Sequence, residues 1–78
     1  MARKKQRQRM NGIQMKTIRM KMGLTGAEFA RALGYQGKDG SLETQIRRWE
    51  RGHRKIPYLA GRLTLMYDAY GIPPHFRS

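Results

Sequence analysis

The densest chemistry in this sequence is the run Arg47-Arg48-Trp49-Glu50-Arg51-Gly52-His53-Arg54-Lys55. Leu42, Ile46 and Trp49 precede or punctuate it at i, i+4 and i+7, which is one face of a helix over residues 41–51. At about 100° per residue the opposite face carries Thr44, Arg47, Arg48 and Arg51, with Glu43 and Gln45 on its flanks. A helix with that outer face has the width and donor set to read a DNA major groove. Arginine bonds guanine bidentately, glutamine bonds adenine, and glutamate accepts from cytosine. On one helix taken alone, the same pattern would be a solvated charged face.

Catalytic chemistry has little to work with. His53 and His75 are far apart, and Glu28, Asp39, Glu43, Glu50 and Asp68 are scattered. No histidine pair shares a helical turn, and no glycine-rich loop leads to a Lys-Ser or Lys-Thr pair. The absence of cysteine excludes a disulfide framework, a thiolate zinc finger and a cysteine nucleophile. It also fits a reducing compartment. The expectation is a protein that is not an enzyme, with no cofactor, metal or small-molecule substrate.

Charge supplies the partner. In 78 residues, 17 Lys and Arg face 5 Asp and Glu, for a net charge of +12. Such a surface repels itself and attracts a polyanion. Residues 1–11 read as a basic arm, disordered in isolation, whose Arg3, Lys4, Lys5, Arg7 and Arg9 lie on phosphates or enter a minor groove. No apolar run is long enough for a transmembrane helix or a secretory signal, and the expected location is the cytoplasm, on the nucleoid. A membrane-surface role is disfavoured because the arm lacks an interleaved Trp, Phe or Leu face. A non-specific nucleic-acid binder, of DNA or RNA, is the principal rival. Against it, only Tyr35 looks free to stack a single-stranded base.

The elements that must position these residues are all helical. Met15, Ile18, Arg19 and Met22 form the stripe of a helix over 12–22, with Ile13 and Met20 off it and Arg19 a charge upon it. Gly23 ends it as a left-handed cap. A second helix, 25–33, has Thr25 as N-cap, Glu28 completing a capping box, and Leu24 stapled to Phe29. It buries Phe29, Ala30 and Leu33, and Gly34 turns the chain. Residues 35–41 read as a loop, with Asp39-Gly40 as a turn signal. After the helix over 41–51, Gly52 is a stop, and an extra turn is expected near 54–56. The last helix, 57–70, has Pro57 at its first position. Leu59, Leu63, Met66, Tyr67 and Tyr70 are its inner face, and Tyr58, Leu65 and Ala69 make a second stripe. The expected fold is an all-α bundle of four to five helices over 12–72, with a tail over 73–78. A chain this short buries only about 60% of its unfolded surface.

Taken together, Leu24-Thr25-Gly26-Ala27-Glu28-Phe29-Ala30, Ala32-Leu33-Gly34 and Ile46-Arg47-Arg48-Trp49-Glu50-Arg51-Gly52 resemble the phage-repressor (Cro-like, XRE-type) helix-turn-helix family. The resemblance runs from about residue 13 to residue 72, and its strongest motif is Trp-Glu-Arg-Gly. It implies that the helix over 25–33 crosses the DNA backbone and the helix over 41–51 enters the major groove. Base readers would then be Glu43, Thr44, Gln45, Arg47 and Arg48. Phosphate contacts would come from Arg51, His53, Arg54 and Lys55 and from the amides at Thr25 and Gly26. The resemblance pairs Arg19 with Glu50, which explains a charge that is costly unless paired. It also implies a homodimer on an inverted repeat, with Tyr58, Leu65, Ala69, Ile72 and Phe76 as the interface. The implied role is a repressor or autoregulator. The family includes small phage autorepressors, anti-CRISPR-associated regulators among them, and antitoxins. Two departures stand out. The connection after Gly34 is about twice the length of a tight helix-turn-helix turn, which brings Gln36 or Lys38 toward DNA. Position 26 is glycine, where relatives place a long polar side chain.

Overall fold

A computed structural model describes residues 10–77. The fold begins earlier than charge alone indicates. Met10 is half-buried against the core, and Asn11 caps helix α1 (Gly12–Lys21). The Asn11 side chain accepts from the Gln14 N–H at 2.8 Å, and Gln14 accepts from the Asn11 N–H at 3.1 Å. Two amides that a helix start leaves unpaired are thus satisfied together. Residues 10 and 11 therefore belong to the folded domain and not to the arm. Helix α1 buries Met15 and Ile18 and ends before Gly23, whose φ of +74° provides the left-handed turn.

Helix α2 (Gly26–Ala32) starts as the Thr25–Glu28 spacing predicts. The Thr25 Oγ1 accepts from the Glu28 N–H at 3.1 Å, and Glu28 Oε1 accepts from the Thr25 N–H at 2.8 Å. Ala27, Phe29, Ala30 and Ala32 are buried, while Leu33 is the C-cap and only half-buried.

Helix α3 (Asp39–Glu50) begins two residues before the expected start. Asp39 and Gly40 open it instead of forming a turn. An aspartate in a first turn is favoured by the positive end of the helix dipole. Here it also pairs with Arg31 of α2, whose guanidinium donates to the Gly37 carbonyl at 3.0 Å. The α2–α3 connection is thus 33–38, shorter than the sequence indicates yet longer than a tight turn. Leu42, Ile46 and Trp49 are buried, as their spacing requires. After α3 no further helical turn forms near 54–56; Ile56 is instead a buried core residue.

Helix α4 (Tyr58–Tyr70) follows Pro57, which occupies the N-cap position instead of the first helical one. Its inner face also differs from the expected one. Ala60, Gly61, Thr64 and Tyr67 are buried, whereas Leu59 and Tyr70 are 77% and 86% exposed and Met66 is exposed too. Small residues win the inward side because they allow close approach: Met10 lies directly over Gly61. The two polar residues on that side are satisfied. Thr64 donates to the Ala60 carbonyl at 2.8 Å, and the Tyr67 hydroxyl donates to the Ala32 carbonyl at 2.6 Å. A 3-10 turn (Pro74–Phe76) ends the described chain.

The result is an all-α fold, with four α-helices and no strand among the described residues. The most extensive helix–helix packing joins α2 to α3. The core gathers Met15, Phe29, Leu42, Ile46, Trp49 and Ile56.

Candidate nucleic-acid interface

With three apolar residues turned inward, α3 leaves Arg47 and Arg48 exposed, and Arg51 at its C-cap is exposed beside them. Gly52, at φ +80°, then folds the chain back along the helix end. The His53 and Arg54 amides donate to the Arg48 carbonyl at 2.8 and 3.3 Å. This keeps His53, Arg54 and Lys55 exposed beside the arginines. Lys38, from the α2–α3 connection, meets Ser41, Gln45, Arg48, Arg54 and Lys55 around one open groove of about 890 Å³. On the other flank Arg47 and Arg51 share a concavity with Lys16 of α1. Lys16 follows a core residue, and nothing in its spacing marks it as part of this surface.

The carboxylates explain why that surface stays cationic. All five lie in the described residues, and each is engaged within the fold. Glu28 caps α2, Glu43 accepts from the Ala27 N–H at 2.8 Å, Asp39 pairs with Arg31, Glu50 with Arg19, and Asp68 with Lys21. Among the described residues, Lys38, Arg47, Arg48, Arg51, Arg54 and Lys55 have no acidic partner.

The Arg19–Glu50 pair is bidentate. Nε donates to Oε2 at 2.7 Å, Nη2 donates to Oε1 at 3.0 Å, and Nη1 donates to the Leu24 carbonyl at 2.9 Å. The two side chains are 17% and 7% exposed. The hydrogen bonds to Glu50 raise the guanidinium pKa above its ordinary value, against an opposing effect of burial.

Several expected contacts are placed elsewhere. Glu43 is turned to the N-terminus of α2, so its carboxylate is committed away from base edges. Two of the amides at the start of α2 are engaged within the fold. Thr25 N–H is taken by Glu28, Ala27 N–H by Glu43, and both carboxylates would repel a phosphate. Thr44 is half-buried and donates its hydroxyl to the Gly40 carbonyl at 2.9 Å, whereas Gln45, also half-buried, stays in the groove beside Arg48. Tyr35 is half-buried, and its ring makes a T-shaped contact with Trp49 at 5.5 Å. Arg3, Lys4, Lys5, Arg7 and Arg9 lie outside the described residues. Met10 itself lies between two surfaces, beside Arg54 and Lys55 on one side and beside Tyr58, Leu65 and Met66 of α4 on the other.

The outer side of α4 is the apolar counterpart. Leu59, Leu65, Met66 and Tyr70 are exposed, with Arg62 among them and donating to the Tyr58 hydroxyl at 3.3 Å. Phe76 is not brought to that stripe. It packs edge-on against His75 at 4.5 Å and lines a separate concavity with Tyr35 and Arg31. Ile72 is half-buried and Ala69 exposed.

Among the described residues no three His, Asp or Glu come together as a metal site, and no helix is long and apolar enough to cross a membrane. In comparisons with family models, with curated proteins and with solved structures, nothing matches this chain.

Proposed function

We propose that this protein is a sequence-specific double-stranded DNA-binding transcriptional regulator of the helix-turn-helix class, acting as a cytoplasmic repressor or autoregulator. The observation that carries the reading is the division of charge. Every carboxylate has a partner within the chain, while the outer face of α3 and the segment after it hold cations with no acidic partner among the described residues. In this reading α3 lies in the major groove, with Arg48 and Gln45 toward base edges and Arg47 beside them. Arg51, Arg54, Lys55 and Lys38 sit on phosphates, joined by the cations of the basic arm. The apolar outer side of α4, with a single cation, is the part of a strongly basic molecule best suited to meet a second copy. The dimer surface is therefore Tyr58, Leu65 and Ala69 enlarged by Leu59, Met66 and Tyr70.

A selection from a random duplex library tests this reading. The expected result is enrichment of an inverted repeat that unrelated duplex competes for poorly. If random duplex or RNA hairpins compete as well as the selected site, the protein is a non-specific nucleic-acid binder and the proposal falls.

A further inference from the structure

The connection 33–38 is longer than a tight helix-turn-helix turn, and α2 is joined to α3 by apolar packing and by the Arg31–Asp39 pair. Two carboxylates of α3 reach the corner where α1 leads into α2. Glu50 grips Arg19, whose Nη1 holds the Leu24 carbonyl at 2.9 Å. Seven residues earlier, about 10 Å along the helix, Glu43 Oε1 accepts from the Ala27 N–H at 2.8 Å.

Gly26 makes the second contact possible. Its φ is not positive, so backbone conformation does not call for glycine there. A Cβ at that position would collide with Glu43 Oε1, while the next side chain, Ile46, is 3.4 Å away. The space that a side chain at residue 26 would fill is the space the carboxylate uses. Glycine at 26 and glutamate at 43 thus form one device.

We infer that Glu43 and Gly26 form a latch that sets the pose of α3 on α2, making Glu43 a positioning residue for DNA recognition and not a base reader. The inference rests on the DNA-binding reading for its consequence and on the hydrogen bond for its mechanism. The carboxylate lies at the positive end of α2, where a negative charge is favoured. Gly26→Ala displaces only the end of a flexible side chain and leaves DNA-facing atoms untouched.

The test compares the full chain with Glu43→Ala, Glu43→Gln, Gly26→Ala and the double variant Gly26→Ala/Glu43→Ala. Two readouts are needed: exchange of the Ala27 amide by NMR, and the profile of duplexes selected from a random library. Ala27 is expected to be protected in the parent and in Glu43→Gln, which keeps an acceptor. It is expected to exchange about ten-fold faster or more in Glu43→Ala and in Gly26→Ala. Both single variants should lose preference at several base pairs together, the double variant should be no worse than either, and Glu43→Gln should restore the profile. The latch is overturned if Ala27 in the parent exchanges as fast as in Glu43→Ala. The positioning role is overturned if Glu43→Ala loosens a single base pair while Gly26→Ala changes nothing, since that is how a base reader behaves. A parent chain that selects no duplex refutes the DNA-binding reading, and the amide exchange still decides the latch.

Discussion

Arg19→Ala removes three hydrogen bonds at once: two to Glu50 and one to the Leu24 carbonyl. It leaves a carboxylate that is 7% exposed with no counter-charge. Breaking one side of a buried pair costs about 3–5 kcal/mol. Arg19 keeps some solvent access, so the low end, about 3 kcal/mol, is expected. A chain of this length has a total stability of about 4–12 kcal/mol, so the loss is a large share of it. The corresponding fall in Tm is about 12–24 °C. Far-UV circular dichroism on heating and urea titration followed by Trp49 fluorescence read it directly. Arg19→Met/Glu50→Met, which replaces both charges by apolar side chains, should recover to within about 1 kcal/mol of the parent. An Arg19→Ala protein that loses less than about 1 kcal/mol would show that the pair behaves like a surface salt bridge. It would then not be what joins α1 to α3.

Gly12→Ala should destabilise by about 1–3 kcal/mol in urea titration although alanine is the better helix former. Its Cβ would collide with the backbone carbonyls of Trp49 and Glu50, which cannot swing away. Tyr67→Phe should cost about 1–3 kcal/mol, because the buried Ala32 carbonyl loses its donor. Burial raises the Tyr67 pKa above its ordinary value. The neutral hydroxyl is therefore favoured in the folded state. That contribution is present below about pH 10 and is lost as pH rises through the folded-state pKa. Tyr67→Phe should flatten this alkaline loss of stability. Leu65→Asp/Met66→Asp should leave the monomer fold intact by circular dichroism and shift sedimentation equilibrium to monomer; an unchanged mass would place any dimer contact elsewhere.

The parts legible in the sequence are those governed by short-range rules. The Thr25–Glu28 capping box, the Gly23 and Gly52 turns and the inward set Leu42, Ile46 and Trp49 depend only on spacing within one helix. The start of α3 was not legible, because Asp39-Gly40 is a turn signal unless an arginine on another helix draws the aspartate into a first turn, as Arg31 does. The inner face of α4 misled for a related reason. Periodicity ranks large apolar residues as core, but close packing selected Ala60, Gly61 and Thr64 and left Leu59 and Tyr70 outside. Glu43 shows the limit for a site residue. Its place on the flank of the charged face is consistent with reading a base, and only the approach of Gly26 and Ala27 in space gives the carboxylate another partner.

The most direct measurement is the base preference of Arg48→Ala compared with the parent, each selecting from the same random duplex library. With its guanidinium outward and without an acidic partner among the described residues, Arg48 should specify one base pair per half-site. Its loss should weaken discrimination there by about 1–3 kcal/mol while the other positions keep theirs. A uniform fall in affinity across all sequences, or no enriched site for the parent, would contradict the assignment of α3 as the element that reads DNA.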